Sequence, residues 1–169
     1  NGYSTTGNIK HVAGQPEVPL EQFLLPMLLA SDAIEKDGAL IGDPTEGALI
    51  VLGAKGGIDI DETRRTYPRV AEVPFDSEYK FMATFHEMTG DDGNPVVRCY
   101  VKGAPDVLIA RATTFRKPDG TLLDITDDNR HLALEANDQI ANAGERVMVV
   151  AQRDFEPGTL PSGDQLIGL

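Results

Sequence analysis

Four short stretches of this 169-residue chain set polar side chains beside residues that hold a backbone still. They are Gly42-Asp43-Pro44-Thr45-Glu46, Pro74-Phe75-Asp76-Ser77-Glu78-Tyr79-Lys80-Phe81-Met82, Lys102-Gly103-Ala104-Pro105-Asp106 and Gly144-Glu145-Arg146-Val147. Taken singly, each has an ordinary structural reading. Glu46 completes a helix capping box, Phe75 fills core, Lys80 and Lys102 solvate a sheet face, and Arg146 pairs with one of 27 acids. Strand alternation gives two of them a shared direction. Over Val96 to Lys102 it sets Arg98, Tyr100 and Lys102 on one face, and over Lys80 to His86 it groups Lys80, Met82, Thr84 and His86. A wall of Lys, Met, Tyr and Lys offers apolar surface to a flat ring and cations to its phosphates. Gly103, lacking a Cβ, leaves room for a ligand to approach the backbone.

The elements that must position these residues follow from period and punctuation. Leu20, Phe23, Leu24, Met27 and Leu28 trace a helical stripe that Pro26 should bend. Asp43-Pro44-Thr45-Glu46 opens a second helix that Gly56-Gly57 ends, and Asp59 to Arg65 forms a short third. Val70 to Phe75, Lys80 to Glu87 and Val96 to Lys102 read as strands, the last two a hairpin across Gly90 to Asn94. Pro105 opens a short helix to Ala110, and Lys117-Pro118-Asp119-Gly120 turns between two short strands. Thr126 caps a helix to Ala143, and Arg146 to Arg153 is the final strand. The lead-in to Val18 is irregular, with at most a short strand around Ile9. Hairpins without regular βαβ alternation predict an α+β fold, a mainly antiparallel twisted sheet flanked by helices, in a single domain over residues 1–169. A doubly wound parallel sheet is the alternative.

Composition narrows the chemistry. Fifteen Lys+Arg against 27 Asp+Glu give a net charge of −12, a field that repels nucleic acid and anionic lipid while permitting a local cation cluster. The single cysteine, Cys99, makes no internal disulfide, and neither CxxC nor HExxH occurs, so a reducing setting and no metal site are expected. The longest apolar run, Ala48 to Ala54, falls far short of the roughly 20 residues that span a bilayer. The dipeptide Gly-Lys is absent, which removes a GxxxxGK[ST] loop, and no GxGxxG opens a helix.

In order and spacing, the four stretches resemble the nucleotide-binding (N) domain of type II P-type cation-transporting ATPases, the group of calcium pumps and the sodium/potassium pump, with a length similar to bacterial members. The resemblance runs from about Tyr3 to Leu169 and rests on Gly42 to Leu49, Pro74 to Ser77 with Lys80 and Met82, Tyr100 to Asp106, and Gly144 to Val147. It implies a module that binds ATP, as Mg-ATP in the full-length pump, and presents the γ-phosphate to an aspartate in a separate phosphorylation domain. By position, Phe75 matches the aromatic that stacks on adenine, Glu46 the acid near the adenine amino group and Lys102 the lysine deep in the adenine pocket. Lys80 matches a lysine along the phosphate path and Arg146 the arginine facing the phosphates. Ser77, Met82, Gly103 and Ala104 complete the implied ATP-binding set.

Two positions depart from the family pattern: Asp106 stands where Glu is commoner, and Ser77 where animal calcium pumps carry an arginine. The Asp-Lys-Thr-Gly-Thr motif, membrane segments and later magnesium-binding acids are absent. On this resemblance the chain is a soluble, monomeric fragment of a membrane pump, at the cytoplasmic face with phosphorylation and actuator domains as partners, and with both chain ends close together. It would make no direct membrane contact, hold no catalytic residue or metal of its own, and bind nucleotide without turnover. Two other readings compete: a small acid/base hydrolase built on Asp76 and Glu78, and an acidic regulatory interaction domain.

Overall fold

The structure, a computed structural model, describes residues 4–14, 17–36, 39–158 and 160–169. Five helices run α1 Leu20–Leu29, α2 Pro44–Lys55, α3 Ile60–Thr66, α4 Pro105–Arg111 and α5 Asp127–Asn142. Eight strands run β1 Ile34–Lys36, β2 Ala39–Ile41, β3 Arg69–Asp76, β4 Phe81–Thr89, β5 Pro95–Gly103, β6 Thr114–Arg116, β7 Leu122–Asp124 and β8 Val149–Phe155. The main sheet has four strands in the order β3-β4-β5-β8, antiparallel throughout, with β1-β2 and β6-β7 as separate two-stranded ribbons. The fold is α+β, and the parallel alternative falls.

Both faces of β4 and β5 are covered, which explains why β4 is buried continuously from Phe81 to His86 rather than at alternate positions. One face carries Phe81, Ala83, Phe85, Val97, Cys99 and Val101, sealed by Leu108 of α4 with Leu166 and Leu169. The other carries Met82 opposite Lys102 and Thr84 opposite Tyr100, with Leu29 of α1 and the following Ala30 packed on Tyr100. Burial of this polar second face works because its groups satisfy one another. The imidazole of His86 donates from Nδ1 to the Tyr67 carbonyl (2.8 Å) and accepts at Nε2 from the Thr84 hydroxyl (2.9 Å).

Helices α1 and α2 meet closely through glycine: a Cβ on Gly53 would lie 2.4 Å from Leu28 Cδ2. Helix α1 continues through Pro26, whose own carbonyl accepts from Ala30 (3.2 Å). Asp43 and Thr126 cap α2 and α5 as the spacing predicts, and Asp59, expected as the first residue of the third helix, caps α3.

Several boundaries differ from the sequence reading. No strand forms around Ile9 among the described residues; its N–H donates instead to Lys55 O (3.4 Å) at the end of α2. The β1-β2 ribbon lacks a long alternating run and was not foreseen. Strand β8 begins at Val149, which leaves Arg146 in irregular chain after Gly144. The expected nearness of the two chain ends involves residues 1–3, which lie outside the described residues.

Burial lowers the pKa of His86, so the unfolded chain binds a proton that the folded chain resists. Stability is therefore held above the unfolded value of about 6.5 and lost as pH falls toward the lower folded value. Denaturant midpoints taken from about pH 7 to pH 5 should fall for the native chain and fall less steeply for His86→Gln. Parallel slopes would contradict this.

Candidate functional site

The site begins at the N-terminus of α2. The Asp43 carboxylate accepts from the amides of Thr45 (2.8 Å) and Glu46 (3.2 Å). These bonds, that from Glu46 foremost, hold its pKa below the usual carboxylate value, and the nearby Arg146 guanidinium adds to the effect. Glu46 is not the other half of a capping box. Its carboxylate reaches the turn after α1, where Oε2 accepts from the amides of Asp32 (2.9 Å) and Ala33 (3.1 Å) while Oε1 accepts from the Lys102 ammonium.

Lys102 is 5% exposed, and its partner Glu46 is 13% exposed at the side chain. A buried ammonium of this kind persists only when its donors are used. Besides Glu46, Nζ donates to Ser31 Oγ (3.2 Å), whose own proton goes to the Met27 carbonyl (2.6 Å). The ammonium is thus held between a carboxylate and a hydroxyl oxygen with its lone pairs turned inward.

Phe75 sits where β3 breaks register. Val73 pairs with Ala83 and Asp76 with Phe81, so Pro74 and Phe75 together oppose Met82. Simple alternation would turn Phe75 inward with Ala71 and Val73; the extra residue re-aims it, and the ring is 67% exposed. Proline suits the bulge because it has no ladder donor to lose. Phe75 is therefore not core. Met82, facing Lys102 across the β4-β5 pair, is buried.

Lys80 lies outside β4, in the turn before it, and at φ 57° is the positive-φ non-glycine among the described residues. This corrects its placement on the Met82 face: the turn, not strand parity, sets its direction. Its exposed ammonium pairs with Asp106 (3.1 Å) in the first turn of α4. Ser77 is exposed in the same turn. Gly103 has a reason of its own to lack a side chain, since a Cβ there would lie 2.5 Å from both Lys80 O and Phe81 Cβ. The missing side chain thus serves chain packing. Ala104 then donates its N–H to Lys80 O (3.0 Å) and precedes α4 without a side-chain cap.

Arg146 closes the arrangement by donating from Nη1 to Thr45 Oγ1 (3.1 Å). The four stretches thus meet: Arg146 on Thr45, Glu46 on Lys102, Lys102 across from Met82, and Met82 opposite the Phe75 bulge. Tyr100 does not join them, being sealed under α1. Nor does Arg98, held by two bonds to Asp154 (2.6 and 2.7 Å). Asp76 and Glu78 form no acid/base pair; the Asp76 carboxylate accepts from the Glu78 amide (2.6 Å) and closes a turn. A hollow of about 690 Å³ lies elsewhere, along β8 between α1 and α5, and none of the nine expected site residues lines it. Ser31, Asp32 and Ala33 escaped the sequence reading because a Ser-Asp pair after an apolar helix signals only a helix stop.

The geometry defines an α+β domain with a composite site of an exposed aromatic, a buried thioether and fixed cations, and no glycine-rich phosphate loop. The sequence pattern of the P-type ATPase cytoplasmic domain N matches residues 20–165, and the chain belongs to that family. It is similar to the cation-transporting ATPase pma1 of Synechocystis sp., 34% identical over 92% of this chain and 18% of that protein. The calcium-transporting ATPase type 2C member 1 of Bos taurus is 37% identical over 73% of this chain and 12% of its own length. The calcium-transporting ATPase 1 of Lactococcus lactis is 30% identical over 90% and 17%. The chain spans less than a fifth of each of these relatives. Among the described residues no helix is long and apolar enough to cross a membrane.

The Glu46–Lys102 pair generates a stability prediction. Glu46→Ala strands a buried ammonium and should cost about 3–5 kcal/mol in chemical denaturation. The double variant Glu46→Gln/Lys102→Met should recover part of the loss seen in Glu46→Gln alone. Simple additivity of the two single effects would contradict the pairing.

Proposed function

We propose that this chain binds ATP at the meeting point of its four stretches and serves as the nucleotide-binding domain of a P-type cation-transporting ATPase. The observation that carries the proposal is the convergence itself. Residues as far apart in sequence as Thr45, Phe75, Lys102 and Arg146 are brought together by named bonds and strand register, with an exposed ring at one end and the Arg146 guanidinium at the other. Adenine stacks on Phe75, an interaction worth roughly 1–3 kcal/mol. The buried Lys102 and the apolar Met82 bound the ring's inner side, and Lys80 and Arg146, with their charges toward solvent, serve the phosphates together with Ser77 and the Gly103-Ala104 backbone. Family membership and the names of the relatives, cation- and calcium-transporting ATPases, support the same reading.

In the whole pump, Mg-ATP bound here presents its γ-phosphate to an aspartate of a separate phosphorylation domain, with an actuator domain in the same polypeptide. The four stretches supply positioning and charge, and the phosphoryl acceptor comes from outside them. The isolated chain, a monomer, binds nucleotide without sustained turnover. The domain stands on the cytoplasmic side of the membrane, touching neither lipid nor nucleic acid.

Phe75→Ala tests the adenine assignment cleanly, because the side chain is exposed and its loss leaves the core intact. ATP affinity in a fluorescence titration should weaken by about 1–3 kcal/mol, with the folded signal unchanged. Native affinity in a folded Phe75→Ala chain would overturn the assignment, and steady phosphate release by the unmodified chain would revive a hydrolase.

A further inference from the structure

Helix α3 packs beside α2, and one of its side chains reaches the turn that organises the four stretches. Arg64 Nη2 donates to the carbonyls of Leu28 (3.4 Å) and Ser31 (2.7 Å), at the C-terminal end of α1, where carbonyls have no helical partner and carry partial negative charge. Arg69 also approaches Ser31 O, at 3.4 Å, but its shorter bonds go to the carboxylates of Asp32 (2.8 Å) and Glu72 (2.7 Å). Arg64 is the closer and more dedicated anchor.

The Ser31–Ala33 turn is thus held from both sides. The Ser31 carbonyl takes Arg64, Ser31 Oγ takes Lys102, and the Asp32 and Ala33 amides hold Glu46, which in turn holds Lys102. We propose that Arg64 is a positioning residue for the nucleotide site: by pinning the Ser31 carbonyl from behind, it fixes the turn whose hydroxyl and amides place the Lys102 ammonium. It touches no nucleotide and acts through Ser31 and Glu46. The proposal rests on the reading that Lys102 faces bound ATP.

Two readouts keep the linkage and that reading separable. In the nucleotide-free chain, Arg64→Ala should shift the amide NMR signals of Asp32 and Ala33, which report the bonds to Glu46, and leave those of Phe85 and Val97 in place. In an ATP titration the same variant should bind about tenfold more weakly, the worth of one charge-assisted hydrogen bond. Arg64→Lys, whose ammonium can still donate to Ser31 O, should restore much of both. Should Arg64→Ala fail to fold, Arg64→Gln makes the same comparison. Unmoved Asp32 and Ala33 signals would overturn the linkage, as would native ATP affinity in the presence of moved signals. Failure of the unmodified chain to bind ATP would overturn the nucleotide reading alone, because the amide shifts decide the linkage without nucleotide.

Discussion

A lysine ammonium placed almost out of water is the constraint around which this domain is arranged. Lys102 is the penultimate residue of a central strand paired on both sides, with Met82 and Val150, so its backbone is fixed and its side chain lies buried. A buried charge of this kind demands a carboxylate and further acceptors within reach. Glu46 and Ser31 supply them, and each is fixed in turn: Glu46 by the amides of Asp32 and Ala33, Ser31 by the Met27 carbonyl. The start of α2, the end of α1 and the end of β5 are tied by one charge.

That tie explains why stretches that look self-contained belong together. The N-terminus of α2 is capped by Asp43, which frees Glu46 from capping and lets it bridge to Lys102. Thr45, next to it, receives Arg146 across 101 positions of sequence. On the far side of Met82 the β3 bulge turns Phe75 out of the core and Lys80 adopts a left-handed backbone. A bulge and a positive-φ lysine meet in this one connection, features that also gather next to functional sites.

Much of this was readable in the residues, and the failures have physical causes. The capped helix starts at Asp43, Asp59 and Thr126 and the Gly90–Asn94 hairpin turn were legible because they depend on neighbouring residues alone. Period also sorted the β5 faces correctly, with Val97, Cys99 and Val101 in the core against α4. The β1-β2 ribbon was missed because three-residue strands carry no period, and Lys80 was misplaced because a positive φ leaves no mark on alternation. The exposure of Phe75 depends on a bulge in β3 set by how that strand pairs with β4, which local alternation does not encode. Glu46 looked like a capping residue because its true partners lie 13 to 56 positions away. Gly103 read as an opening for a ligand, and the fold adds a packing reason that local sequence does not encode, a close contact between strand and turn.

The central claim, that nucleotide sits where the four stretches meet, is tested most directly by mapping amide shifts of the labelled chain during an ATP titration. The account predicts saturable changes centred on the segments around Thr45, Phe75 to Met82, Lys102 to Ala104 and Arg146, with the β8 hollow around Phe115 and Ile125 silent. Saturable changes confined to that hollow, or no saturable change at all, would contradict it.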